Sequence, residues 1–177
     1  MFWLWPLITI IFFYFFALLQ TSFFIYYNFL GAIPNLVFVL FFVLVFFSPK
    51  DSYYRTVFLA VTAGVFLDIF SAHNLGISIL LLIIIGVLIK KFQSSLKEKK
   101  LGYPLSYFLV LFLVSFLAYS LLIKVGLYFL ISEPIIINLS TGFLAELIYN
   151  LAFAVLAFII FKKLFTNEKV DKKNDFL

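Results

Sequence analysis

Long apolar runs separated by short polar or basic stretches make up most of the chain. A helix that crosses a hydrocarbon core needs about 20 apolar residues, and most of the runs approach that length. The second run is rich in phenylalanine and valine and would also suit a buried strand, but an open strand edge cannot be satisfied in lipid. The pattern therefore predicts an all-α, polytopic membrane protein with six transmembrane helices, at about residues 3–26, 34–47, 53–70 and 75–89, within 103–131, and from 138–142 to 162.

Some runs depart from a simple span. The second would form a helix of only about 21 Å, so it must use flanking residues or sit where the bilayer is thin. The fifth is longer than one span needs, and we expect Lys124 at its outer end, with residues 126–132 as an interfacial or re-entrant piece. Residues 90–100, KKFQSSLKEKK, predict a loop, with or without a short surface helix. We expect one six-helix transmembrane domain at 1–163 and a charged, disordered cytoplasmic tail at 164–177.

Composition supports a membrane location. Only 12% of the 177 residues are charged, against about 25% in soluble domains, and 66% are hydrophobic. The absence of cysteine excludes disulfides and thiolate metal sites. The net charge of +5 comes from lysines at helix ends, where an anionic membrane surface explains them. We therefore expect membrane lipid, and no nucleic acid, as a partner.

The distribution of basic residues predicts the topology. In a six-helix arrangement, twelve of the 13 Lys and Arg residues fall on one side of the membrane, and Lys124 near a helix end is the exception. The positive-inside rule then places both termini in the cytoplasm. We therefore expect the chain to cross the membrane several times, with its basic residues on the cytoplasmic side.

Residues 60–76, AVTAGVFLDIFSAHNLG, place a carboxylate inside an apolar run. On a helix, Ala60, Gly64 and Asp68 share one face, so two small side chains leave a groove beside the acid. Such patterns usually allow close packing of a neighbouring helix. We expect a helix-packing or partner groove here.

Four polar residues lie inside apolar runs: Asp68, Lys124, Glu146 and Asn150. The first three are expected in the outer part of the membrane, where Lys124 would neutralise Asp68, Glu146 or both. The alternative is that each extends separately to the headgroups. Asn150 shares a helix face with Glu146, and we expect it to form an interhelical hydrogen bond.

Nothing in the sequence predicts an enzyme. His73 is the single histidine, and one imidazole in a polar turn makes neither a metal site nor an oriented base. No nucleotide-binding or metalloprotease motif is present. We expect no catalytic residue, no cofactor and no metal.

Several motifs resemble the rod shape-determining protein MreD family. A Pro-Asn pair opens the second span at Pro34 and Asn35, a small-residue stripe ending in aspartate lies on the third at Gly64 and Asp68, and a Leu-Gly pair opens the fourth. LLQ in the first span and an asparagine twelve residues before a lysine pair in the sixth also match. Ala60 departs from the family pattern, which commonly has glycine there. The matching positions are Gln20, Pro34, Asn35, Gly64, Asp68, Leu75, Gly76 and Asn150.

The resemblance implies a non-enzymatic subunit of the bacterial cell-elongation complex. Such proteins are understood to bind the MreC scaffold and to act with the MreB filament and the RodA and transpeptidase wall synthases. The family is also similar in fold to the substrate-binding subunits of energy-coupling-factor transporters. The alternative function is therefore a solute-binding subunit of a vitamin-type transporter, which would need Gln20, Asp68, Lys124, Glu146 and Asn150 to converge on a pocket.

Overall fold

Six α-helices account for most of the residues that the structure, a computed structural model, describes, namely 4–28, 31–49, 51–70, 76–95, 104–131 and 141–174. The all-α prediction is confirmed. The helices are α1 (Leu4–Leu18), which continues as a π-helical turn (Leu19–Phe23), α2 (Leu36–Phe47), α3 (Tyr53–Phe70), α4 (Ile77–Ser95), α5 (Leu105–Ile131) and α6 (Thr141–Asn174).

Five of these helices are long and apolar enough to cross a membrane, which agrees with a multi-pass membrane protein. The exception is α2, whose 12 residues span about 18 Å. This short helix is nevertheless the centre of the bundle, since nearly every side chain from Leu36 to Phe46 is buried.

The core around α2 is built from aromatic rings. Phe38, Phe42 and Phe46 lie one helical turn apart on α2, and their rings contact a row of phenylalanine rings on α5. Many of these pairs are edge-to-face with ring centroids 5.0–6.0 Å apart, a favoured geometry for aromatic contacts. The row on the opposite side consists of Phe108, Phe112 and Phe116 of α5, joined by Phe158 of α6.

Helix α3 begins and ends where the apolar run predicted, but three other helices continue past their predicted ends. Helix α4 continues through Lys90 to Ser95, so the first part of the predicted loop is helical. Helix α5 runs unbroken to Ile131, so the re-entrant alternative for the residues after Lys124 is wrong, whereas the interfacial alternative stays a prediction. Helix α6 runs to Asn174, so the expectation of a disordered tail is wrong over those residues. These ends differ because a helix is held by its backbone hydrogen bonds, which can continue after the apolar pattern of side chains has stopped.

The closest approach between helices joins α3 and α4. A Cβ atom added to Gly64 would lie 2.5 Å from the Cα of Ile79, which is shorter than any normal contact. A Cβ atom on Gly86 of α4 would lie 2.7 Å from the Thr56 side chain of α3. Glycine at position 64 is thus required for the two backbones to lie this close, whereas a Cβ atom on Gly86 would have to displace the Thr56 side chain.

Candidate functional site

Asp68 closes the junction between α3 and α4. Its side chain is 1% exposed, and its two carboxylate oxygens accept hydrogen bonds from the backbone N–H groups of Gly76 (2.6 Å) and Ser78 (3.0 Å). These N–H groups belong to the start of α4, where they have no partner within the helix and where the helix dipole favours negative charge. Asp68 therefore acts as an N-terminal cap supplied by the preceding helix.

Gly76 enables this contact through its backbone. Its φ of +109° lies in a region that other residues rarely adopt, and a Cβ atom there would meet nothing within 4 Å. The requirement for glycine at this position is conformational rather than steric.

Ser78 and Tyr119 extend the Asp68 contact to α5. The Ser78 hydroxyl lies 3.3 Å from the Tyr119 hydroxyl, and both side chains are buried. Asp68 and Glu146 both lie within electrostatic range of that tyrosine. The structure thus brings predicted polar residues of α3 and α6 to the same end of the bundle, around a tyrosine that the sequence did not single out.

Asn35 and Asn150 fix the start of α2. The Asn35 side chain accepts a hydrogen bond from the Phe38 N–H at 3.0 Å, as an N-cap does. The Asn35 N–H donates to the Asn150 side-chain oxygen of α6 at 2.8 Å, and the Asn150 amide donates to the Glu146 carbonyl at 2.8 Å. The predicted interhelical hydrogen bond of Asn150 is confirmed, and its partner is the backbone of Asn35.

Lys90 and Gln93 bind the other end of α2. Lys90 is fully buried, and its Nζ donates to the carbonyls of Val45 (2.7 Å) and Ser48 (2.9 Å). Gln93 donates to the Phe46 carbonyl at 2.9 Å. The last carbonyls of a helix lack partners within the helix and carry partial negative charge, so a buried cation is stabilised there.

Among the described residues, Lys124 and Asp68 do not form the expected pair. Backbone N–H groups occupy both Asp68 oxygens, whereas Lys124 lies over the Phe143 ring, 5.8 Å from its centre. Lys124 interacts electrostatically with Glu146. The pairing expectation was wrong for Asp68 because N–H groups eight and ten residues along the chain are nearer partners.

The groove at Ala60 and Gly64 is occupied by the chain itself. Ala60 is fully buried, and Gly64 lies against Ile79 of α4. The helix-packing interpretation of this groove agrees with the geometry. A partner helix cannot enter it without displacing α4.

Two remaining expectations have different outcomes. Gln20 lies in the π-helical turn, and its Oε1 is buried with no hydrogen-bond partner in the described part of the chain. It borders a cavity of about 50 Å³ between α1, α2 and α3, whose lining includes Thr21 but none of Asp68, Lys124, Glu146 and Asn150. His73 and Leu75 lie outside the described residues.

Comparison with known proteins identifies the family. The family model for the rod shape-determining protein MreD matches residues 2–167, nearly the whole chain. The chain belongs to the MreD family. It is therefore a rod shape-determining membrane protein, of a family of structural membrane proteins not known as enzymes. Neither a search of curated proteins nor a search of solved structures found a match.

The MreD motif positions coincide with the helix-end contacts. Asn35, Asp68, Gly76 and Asn150 each donate or accept a hydrogen bond at the start of α2 or α4. Gly64 provides the close approach of α3 and α4. In this chain, these five of the eight residues that carry the resemblance to MreD proteins fix the starts of α2 and α4 and the packing of α3 against α4.

Sequence reasoning missed the partners of these residues, and above all Lys90. Lys90 was counted as a charge at the cytoplasmic surface, yet it is buried and faces α2. A signal was available, because Leu82, Gly86, Ile89 and Gln93 continue one helical face through the predicted loop. Lys90 lies beside that face, four residues after Gly86.

Proposed function

We propose that this protein is a non-enzymatic membrane scaffold subunit of the bacterial cell-elongation complex. In this role it binds an MreC-like partner and supports peptidoglycan synthesis and cell shape, together with an MreB-like filament and RodA and transpeptidase synthases. Membership of the MreD family over residues 2–167 is the observation that carries the proposal.

The use of the buried polar side chains supports a structural role. Asp68, Lys90 and Gln93 each bind backbone groups at a helix end, and the Asn150 amide binds two backbone groups. A solute-binding subunit needs polar groups that converge on a pocket and remain able to bind its ligand. Of the residues that the transporter alternative requires, Asp68 and Asn150 bind backbone groups, and Lys124 lies over the Phe143 ring. Gln20 borders a small cavity whose lining includes none of the others, and this separation favours the scaffold.

The topology belongs to the proposal as well. We infer that the chain crosses the bacterial inner (cytoplasmic) membrane six times, with both termini in the cytoplasm. Helix α2 can cross despite its length because buried side chains bind backbone groups at both ends, Asn35 and Asn150 at the start and Lys90 and Gln93 at the end. A topology reporter such as alkaline phosphatase, fused after residue 49, 103 or 174, should indicate that each of these three points lies in the cytoplasm.

The position of the partner follows from the occupied groove. Because α4 fills the face of Ala60 and Gly64, we propose that the MreC-like partner contacts the lipid-facing surface of the bundle. This surface includes α1, on which Leu7, Ile11 and Phe15 are each more than half exposed.

A depletion experiment tests the proposed function. In a rod-shaped bacterium that depends on this protein, depletion should give round cells, and the tagged protein should co-purify an MreC-like partner. Re-expression of the wild-type chain should restore both properties. Cells that keep their rod shape but lose uptake of a vitamin would contradict the scaffold and support the transporter alternative.

A further inference from the structure

An apolar cleft lies between α1 and α6, and α2 forms its floor. Its volume is about 560 Å³, and its walls include Trp5, Phe12, Leu40, Leu156 and Phe161. The polar member of the lining is Thr9, whose hydroxyl donates to a carbonyl of its own helix. The cleft therefore suits an apolar occupant that needs no hydrogen bonds along its length.

One end of the cleft carries positive charge. The Arg55 guanidinium lies over the Trp5 ring, 5.3 Å from its centre, and Trp5 lines the cleft. On α6 the lining residues end at Ile160 and Phe161, and Lys163 lies three residues after Ile160, on the edge of the same face. Lys163 is exposed.

Lys162 lies on a different side of α6. Its Nζ is over the Phe158 ring, 5.7 Å from the centre, and Phe158 does not line the cleft. Successive residues on a helix are about 100° apart, so adjacent lysines point in different directions. The two lysines differ in their relation to the cleft while carrying the same charge.

We propose that the cleft binds an acyl chain of an anionic phospholipid, with the phosphate held by Arg55 and Lys163. The charged end lies on the side where most Lys and Arg residues fall, and the cytoplasmic leaflet is the one that anionic lipids make negative. Arginine and lysine are the usual protein partners of phosphate. An acyl chain satisfies the apolar walls and a phosphate satisfies the charged end, so one molecule matches both parts.

The size and the charge of the cleft together suit a phospholipid. A volume of 560 Å³ lies within the roughly 300–1,000 Å³ of small-molecule sites. The positive charge at one end distinguishes a phospholipid from an apolar partner helix, which would bring no phosphate to Arg55 and Lys163.

Lipid retention and cross-linking test this proposal on the full-length protein. The purified chain in detergent is mixed with phosphatidylglycerol or phosphatidylethanolamine, and bound lipid is counted by native mass spectrometry. Phosphatidylglycerol should be retained preferentially, and each of Arg55→Gln and Lys163→Gln should weaken its retention about five-fold. The matched control Lys162→Gln removes the same charge and should retain the lipid as the wild type does.

Cross-linking locates the acyl chain independently of affinity. Phosphatidylglycerol with a diazirine midway along one chain should label peptides of α2 and α6 that line the cleft, and Ala157→Trp should abolish this labelling. Equal loss in Lys162→Gln and Lys163→Gln, or labelling spread over the outer surface, would overturn the proposal. In cells, cross-links from a partner helix to Leu40 or Ala157 that exclude the lipid would overturn it too. The lipid-retention and lipid-labelling measurements use the isolated chain, so they are independent of the scaffold function.

Discussion

The side-chain oxygen of Asn150 accepts a hydrogen bond from the backbone N–H of Asn35 at 2.8 Å, joining residues 115 positions apart. Asn35 in turn caps α2 through the Phe38 N–H, so α6 positions the first turn of the central helix. Lys90 and Gln93 of α4 bind the last carbonyls of the same helix. Neighbouring helices therefore hold both ends of α2, the shortest helix in the described part of the chain.

Replacing Lys90 by methionine should destabilise the protein, whereas the same change at Lys91 should not. Lys90→Met leaves the Ser48 carbonyl without its buried donor and weakens the end of α2, a loss of about 1–3 kcal/mol. Lys91 is exposed. Thermal unfolding in a mild detergent should show a lower midpoint for Lys90→Met alone. Equal midpoints for the two variants would mean that Lys90 does not hold α2.

Asp68→Asn should destabilise the junction of α3 and α4. An amide has one acceptor oxygen, so one of the N–H groups of Gly76 and Ser78 loses its partner, at a cost of about 1–3 kcal/mol. The exposed Asp51 provides a control for loss of a carboxylate, because it acts on Lys90 only through its charge and Asp51→Asn should change stability much less. The midpoint of thermal unfolding measures both effects.

The charge exchange Asp68→Lys with Lys124→Asp should not recover what Asp68→Lys loses. The Asp68 carboxylate binds the backbone of α4 rather than Lys124, and a lysine cannot accept those N–H groups. The amount of folded protein extracted from membranes provides the measurement for the single and double variants. Recovery in the double variant would instead indicate that Asp68 and Lys124 form a direct ion pair.

Gly64→Ala should separate α3 from α4. The new methyl group would lie 2.5 Å from the Cα of Ile79, a backbone atom that can move only with its helix. Overpacking of this kind costs about 1–3 kcal/mol. Val61→Ala on the exposed side of α3 is the matched control, and it should change the unfolding midpoint much less. A stable Gly64→Ala variant would show that the two helices can part without cost.

The sequence predicted the helices well because apolar runs in lipid allow few alternatives. It predicted α3 to the residue, because a polar stretch bounds the run on each side. The position of Asp68 near the end of α3 was predicted, but its partner was not. Opposite charge at a similar depth favoured Lys124, whereas the turn after α3 presents two N–H groups that are closer.

The role of Lys90 could not be predicted from local sequence. Its burial depends on the packing of α4 beside the end of α2, and a sequence does not say which helix lies there. A lysine after an apolar run usually marks the membrane surface, so the ordinary interpretation failed. Likewise, the groove at Gly64 was predicted, but a sequence does not say which helix fills it.

Hydrogen exchange at the first turn of α2 tests whether buried polar side chains hold the helix ends. In lipid nanodiscs, the backbone amides of Asn35 and Phe38 should be protected in the wild type, because the Asn150 side chain accepts from the first and the Asn35 side chain from the second. In Asn150→Leu, protection of Asn35 should fall by about ten-fold or more, while amides within α3 stay protected. Unchanged protection in Asn150→Leu, or rapid exchange in the wild type, would mean that buried polar side chains do not hold the start of α2.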